Sequence, residues 1–495
     1  MLQDDKILVG KSNGKDELLE LRLANRHGLI TGATGTGKTV TLQTLAEGFS
    51  DAGVAVFASD IKGDLSGVAA VGEPKPFVKK RLDELGIKEY QNKAYPTVFW
   101  DVTGEKGHPI RATVNDMGAL LLGRMLELNE VQEGVLNIAF RVAADEKMPL
   151  DDLADLRAII NNIAERGKEL TTKYGNVATA SVGAIQRRIL VLEEQGAGHF
   201  FGLPALDIKD FVRTAPDGRG IINILAADKL MEKPRLYAVF LLWMLSKLWQ
   251  TLPEVGDLPK PKLVFFFDEA HLLFTDAPKP LLERIEQIAR LVRSKGVGIY
   301  FVTQNPMDVP NTVSAQLGNR VQHALRAFTP QEAKAVETAA KTFRQNPDLD
   351  TAEAIKELKV GEALISFLEN KGEPSMVQRT LICPPQARIG PLTDEERRGC
   401  IEYSPVFGKY EDRQERDSAK EMLDRKAGSD DTQEADAGGG GGFWGTIFAG
   451  GKNPRTGRYN QGIGEMIAKD MQRTASRTAA TMIKNIILKS LGMKR

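Results

Sequence analysis

An α/β fold with a central, mostly parallel sheet is what this chain predicts, and three features predict it. Short apolar runs recur, most of them separated by stretches with helical periodicity. One early run passes straight into a glycine-rich turn and then a helix. A later run, Leu263-Val264-Phe265-Phe266-Phe267, ends on two carboxylates, Asp268 and Glu269. Parallel strands joined by helices align their carboxyl ends along one edge of the sheet, where ligands of such folds bind.

Residues 1–26 read as a short strand pair leading to the strand His27-Gly28-Leu29-Ile30-Thr31. Next comes Gly32-Ala33-Thr34-Gly35-Thr36-Gly37-Lys38-Thr39, a complete G-x-x-x-x-G-K-[ST] phosphate-binding loop, and then a helix from Val40 onward. Glycines let successive backbone N–H groups turn toward a phosphate, and the helix adds its positive end. The expected nucleotide-binding residues are therefore Gly32, Ala33, Thr34, Gly35, Thr36, Gly37, Lys38, Thr39 and Val40. Lys38 can reach the β- and γ-phosphates of ATP, and the Thr39 hydroxyl can ligate Mg²⁺.

Further strands are expected at 54–59 and 96–100. Helical periodicity dominates from 113 to 212, as in Met117, Leu120, Leu121 and Met125, and reads as an insertion. The sheet resumes at 220–225, a buried helix covers 233–250, and strands follow at 262–267, 297–303, 321–327 and 362–368. This divides the chain into a first core part (1–112), a helical insertion (113–212), a second core part (213–404), a charged and Gly-rich linker (405–461) and a flexible, basic amphipathic helix (462–495). The linker contains five consecutive glycines, Gly438 to Gly442.

Composition narrows the setting. At 495 residues, with 42% hydrophobic and 27% charged residues, the chain has the make-up of a soluble globular protein. Its net charge is zero, yet ten Lys or Arg against two Asp or Glu between 452 and 495 leave that tail at +8 and the body at −8. The two cysteines, Cys383 and Cys400, form no metal or disulfide framework. The early acidic residues Asp4 and Asp5 are unlike a signal peptide, and the apolar stretch 236–248 is too short to span a bilayer and is interrupted by Lys247. A cytoplasmic location is expected.

The acidic strand end supplies the rest of the chemistry. Asp268 can hold Mg²⁺ together with Thr39, and Glu269 can orient the attacking water, which favours hydrolysis. Gln304, closing the 297–303 strand, can contact the γ-phosphate or that water. Developing phosphoryl charge also calls for an arginine. Candidates are Arg290, Arg293, Arg320 and Arg326, with Arg320 preferred because it starts a strand at an expected sheet edge, from which it could reach a neighbouring subunit. His271 reads as structural. The expected catalytic set is Lys38, Glu269, Gln304 and Arg320.

The chain resembles the HerA–FtsK branch of the P-loop ATPases. The resemblance rests on residues 32–39, on Asp60-Ile61-Lys62-Gly63-Asp64, on Phe267-Asp268-Glu269-Ala270-His271 and on Thr303-Gln304-Asn305-Pro306. The layout is most similar to bacterial HerA-like proteins over roughly residues 5–400. The resemblance implies a RecA-like sheet, a hexameric ring with ATP between subunits, and Arg320 as the arginine acting across them. Archaeal HerA proteins carry a β-barrel that binds a nuclease ahead of this core. Here fewer than 30 residues precede the loop strand, so no nuclease partner is inferred.

Three readings of function follow. The first is an ATP-hydrolysing ring motor that translocates or unwinds double-stranded DNA. The second is an ATPase acting on protein in a secretion-type or membrane-associated assembly, with the basic tail holding a protein or membrane partner. The third is a nucleotide-dependent switch without motor activity, which the D-x-x-G match at Asp60 to Gly63 suggests and the missing N-K-x-D segment opposes.

Overall fold

The computed structural model describes residues 2–275, 279–434, 451–452 and 459–460. Contacts divide the chain into two units, Met1–Met422 and Leu423–Arg495.

The alternation of apolar strands and helices produces, among the described residues, one sheet of 13 strands. In chain order these are β1 (Leu2–Gln3), β2 (Lys6–Ser12), β3 (Lys15–Glu20), β4 (Gly28–Thr31), β5 (Ala55–Asp60), β6 (Thr97–Asp101), β7 (His108–Pro109), β8 (Ile222–Ala226), β9 (Leu263–Phe267), β10 (Val297–Thr303), β11 (Asn319–Gln322) and β12 (Glu362–Ser366). A small separate ladder, β13 (Leu368–Glu369) with β14 (Glu373–Pro374), precedes the last strand, β15 (Gln378–Ile382). The spatial order is β1-β2-β15-β12-β11-β4-β10-β9-β5-β8-β6-β7, with β3 on β2. From β11 to β7 all neighbours are parallel. From β12 outward the pairing is antiparallel.

Strand β9 shows why the sheet needs cover on both faces. All five of its residues are buried. Side-chain alternation sends Phe265 toward Phe57 (4.6 Å between ring centres) and Phe267 toward Phe301 (5.8 Å) on one face. Phe266 points the other way, to Phe49 (6.3 Å) and Tyr300 (5.2 Å). A continuous apolar run of this kind belongs to a strand sandwiched between layers. Phe49 lies on the helix Lys38–Asp51, so the helix that begins in the glycine loop rests directly on β9 and β10.

The segment between β7 and β8 is helical, as its periodicity predicts: Val114–Met125, Glu130–Asp145, Leu153–Glu165, Gly167–Tyr174 and Thr179–Glu194. Asn129 with Gln132 and Asp152 with Asp155 form capping boxes that start the second and third of these. The first helix breaks at Gly118, whose φ of 73° no helix contains, so the expected apolar stripe splits: Met117, Leu121 and Met125 are buried and Leu120 is exposed. Phe240 and Trp243, on the helix Pro234–Thr251, close against Phe200 with ring centres 5.5 and 5.3 Å away.

Two expectations are corrected. Strand β11 is not an edge: it lies between β4 and β12, and it ends at Gln322 instead of running to residue 327. Residues 405–422 belong to the first unit and do not act as a linker. Tyr410 is buried against Trp100 (ring centres 5.4 Å), and its hydroxyl donates to Asp210. Arg111 donates to the Tyr410 carbonyl (2.7 Å), and Arg416 grips Asp151 through two bonds of 2.6 and 2.5 Å. Low overall apolar content hid this strap because three buried side chains, Val406, Tyr410 and Ala419, and a few ion pairs anchor it. Both the five-glycine run and the expected basic helix at 462–495 lie outside the described residues.

Candidate nucleotide site

Register brings the loop and the acidic pair to the same edge of the sheet. Strand β10 lies between β4 and β9, and Phe301 is level with Leu29 on one side and Phe267 on the other. The chain therefore leaves β9 into Asp268 and leaves β4 into Gly32, two residues farther along, at the same carboxyl-end edge and two strand spacings, about 10 Å, apart across the sheet. Gln304 follows β10 between them.

In the loop, Gly35 and Gly37 have φ of 79° and 114°, which side-chain-bearing residues rarely adopt. A Cβ on Gly32 would stand 2.5 Å from the His323 Cβ, so the loop needs glycine there for space. Thr34 and Gly35 are exposed at the tip, while Thr36 turns inward and donates from Oγ1 to the Ala33 carbonyl (2.7 Å). The helix then starts at Lys38 with Thr39 and Val40 in its first turn. The Lys38 ammonium donates to the Gly32 and Ala33 carbonyls at 2.7 and 3.1 Å. Burial pulls the Lys38 amine below its ordinary value, and the charges of Glu269 and Asp268 oppose that fall, so the loop lysine faces the acidic pair.

The loop is braced from behind by residues the sequence reading did not single out. His323, fully buried just past β11, bonds Thr41 Oγ1 through Nε2 (2.9 Å) and the Glu362 carbonyl through Nδ1 (2.9 Å). Burial pushes its imidazole down to about 4, so it is neutral at pH 7. The Gly361 N–H donates to the Thr36 carbonyl (3.1 Å), and Ala33 N–H donates to Ala324 (2.8 Å). No motif announces these contacts, because the bonds to the loop and its helix join segments about 300 positions apart through the sheet.

On the acidic side, the Asp268 N–H donates to Ser59 Oγ (3.2 Å), and the Tyr237 hydroxyl sits 2.8 Å from Ser59 Oγ. Glu269 takes left-handed backbone angles, φ 48° and ψ 46°, which cost a non-glycine residue on the order of 1 kcal/mol or more. Its buried carboxylate accepts from Gln304 Nε2 at 3.2 and 3.4 Å and lies 3.4 Å from His271 Nδ1. His271, expected to be structural, is thus beside the carboxylate that the sequence marks for catalysis.

Burial, and then the neighbouring Glu269 charge, push the Asp268 carboxyl up to about 7. Two adjacent carboxylates, Asp268 and Glu269, are hard oxygen donors whose concentrated charge fits Mg²⁺. A carboxyl raised in the fold stabilises the protein fully below its unfolded value near 3.8 and loses that contribution as pH rises through 7. Asp268→Asn, permanently neutral, is therefore expected to unfold at higher temperature than the wild type at pH 8 in EDTA, by on the order of 1 kcal/mol or more, with a smaller difference at pH 5 that vanishes only below the unfolded value near 3.8. Melting curves at the two pH values check this; equal curves at pH 8 contradict it.

The arginine candidates do not all reach this edge. Arg320 is paired in register with Leu29, well before the loop, and its guanidinium donates back to the Ser314 carbonyl (2.9 Å). Burial lowers its basicity. Within its own chain it points away from the crevice. Arg290 pairs with Glu286 and Arg293 with Asp257. Arg326 is exposed and follows Ala324, whose carbonyl touches the phosphate loop, so it is the candidate nearest the crevice along the chain.

The family described as helicase HerA-like C-terminal matches residues 5–495. Over 377 residues the chain is 23% identical to the DNA double-strand break repair helicase HerA of Sulfolobus acidocaldarius, covering 72% of this chain and 66% of that protein. Over 376 residues it is also 23% identical to the protein of the same name from Saccharolobus solfataricus, covering 73% and 66%. The chain thus spans just under two thirds of the length of these relatives. In fold it is similar to the unbound bacterial conjugative coupling protein TrwB, with a TM-score of 0.52 at 14% identity, covering 79% of this chain and 93% of that one. It is also similar to the plasmid coupling protein TrwB in complex with a non-hydrolysable GTP analogue, with a TM-score of 0.50 at 15% identity and the same coverage.

Proposed function

The chain belongs to the helicase HerA-like C-terminal family of P-loop ATPases, and from that premise we propose that it hydrolyses ATP and uses the energy to move double-stranded DNA as a ring of six copies. The supporting observation is the convergence of Lys38, Asp268, Glu269 and Gln304 at one carboxyl-end edge of the sheet. The relatives named as DNA repair helicases support the choice of DNA.

In this reading residues 32–40 cradle the triphosphate through backbone N–H groups, and Lys38 leaves its carbonyl partners for the β- and γ-phosphates. Thr39 and Asp268 would hold Mg²⁺, which supplies charge neutralisation when bound. Glu269 orients the attacking water, and Gln304, bonded to that carboxylate, links the water position to β10. The arginine that meets the phosphoryl charge comes from a neighbouring copy, Arg320 or Arg326. Residues 1–112 and 213–404 form the motor core, with 113–212 as its insertion. A cytoplasmic setting belongs to the same proposal, supported by two free thiols.

The test is the ATPase rate with added duplex DNA, single strands or RNA, with particle mass measured alongside. Duplex DNA is expected to raise the rate several-fold, with binding that weakens steeply as salt increases. An unchanged rate and no salt-sensitive DNA binding would remove DNA from the proposal. A second reading, action on protein, is favoured by the −8 charge of the body ahead of residue 452, which repels phosphates. Under that reading the basic tail holds a protein or an anionic membrane, and deleting residues 443–495 would abolish co-sedimentation with anionic vesicles if the membrane is the partner.

A further inference from the structure

Lys62 belongs neither to the phosphate loop nor to the acidic pair, yet its Nζ lies 3.8 Å from Glu269 Oε1. The lysine side chain is 54% exposed and the glutamate 7%. Its backbone is held in place by a built turn. The buried Asp60 carboxylate accepts the Gly63 N–H on Oδ1 (2.8 Å) and the Leu65 N–H on Oδ2 (3.1 Å). Gly63 has φ 77°, and Ser66 Oγ donates to its carbonyl at 2.7 Å. Asp60 ends β5, the strand beside β9, so this turn rises next to Glu269. The charge of Lys62 also acts on Lys38, so ammonium groups from two separate loops lie within electrostatic range of Glu269.

The three groups on Glu269 approach from different sides. Gln304 reaches both oxygens, His271 lies by Oε2 and Lys62 by Oε1. Together they limit rotation of a carboxylate whose backbone is already held in a left-handed conformation. We propose that Lys62 is a positioning residue: its ammonium fixes the orientation from which Glu269 aims at the attacking water. This deepens, and rests on, the reading that Glu269 orients that water. With the lysine half exposed and 3.8 Å away, and with Gln304 still donating to the carboxylate, losing Lys62 leaves the fold intact.

The experiment measures kcat, KM for ATP and melting temperature for wild type, Lys62→Ala, Lys62→Arg, Glu269→Gln and the double variant Lys62→Ala with Glu269→Gln. Lys62→Ala is expected to lower kcat about 10-fold with KM changed by less than about 2-fold and an unaltered melting temperature. Lys62→Arg, which keeps the charge, restores most of the rate. In the Glu269→Gln background, adding Lys62→Ala leaves the residual rate unchanged, because the residue it acts through is already gone. A wild-type rate in Lys62→Ala overturns the proposal. So does a KM raised about 10-fold, which marks a direct phosphate contact, or a further loss in the double variant. A wild-type chain that binds ATP without turning it over sinks the parent reading and the Lys62 role together. The wild-type rate in the same assay separates that failure from one specific to Lys62.

Discussion

Glu269→Gln is expected to lower kcat by roughly 10²- to 10⁴-fold while ATP still binds. The amide keeps the size and shape of the carboxylate but cannot draw a proton from water. Gln304 Nε2 can still donate to the one carbonyl oxygen that remains, in a side chain of the same shape, so the change is local. Lys38→Ala should behave differently. It removes the cation that reaches the phosphates, so binding and turnover fall together. Single-turnover rates and fluorescent nucleotide titrations separate the two effects. A glutamine variant that turns over at the wild-type rate would show that Glu269 does not orient the water.

Phe49→Ala is expected to destabilise the first unit by about 3–5 kcal/mol, through lost apolar burial and the cavity left behind. Phe49 is fully buried at the far end of the helix that starts at Lys38, with Phe266 and Tyr300 against its ring. Because that helix carries Thr39 in its first turn, a shift at its buried end also moves the loop, and KM for ATP should rise in the folded fraction. Phe77, 55% exposed, is the control, and its replacement by alanine should change the unfolding free energy, read from urea melts, by less than about 0.5 kcal/mol. Equal unfolding free energies for the two variants would contradict the packing argument.

The phosphate loop, the acidic pair and the strand closed by Gln304 were legible in the chain because each is local: eight residues of loop, or a short apolar run with its polar terminus, state their own chemistry. The helical insertion was legible for the same reason, with its first helix misread only at Gly118, where one glycine leaves the helical conformation. Arg320 was misplaced because a four-residue strand does not say who its neighbours are; β12 returns from 40 residues later to cover it. Strand β15 was missed, since Gln378-Arg379-Thr380-Leu381-Ile382 has little apolar pattern and takes its place through pairing with β12 and β2.

The sequence by itself determined the inventory: a nucleotide loop, two carboxylates, a polar strand end, and the period-two and period-3.6 patterns that set the fold class. Tertiary structure alone decided who faces whom. Strand order put β10 between the loop and the acidic pair, carried His323 behind the glycines and raised Lys62 beside Glu269. The physical reason is range. Periodicity and motif chemistry act within a few residues, whereas hydrogen-bonded neighbours in a sheet are chosen by burial of whole faces, and that choice is not written in any one segment.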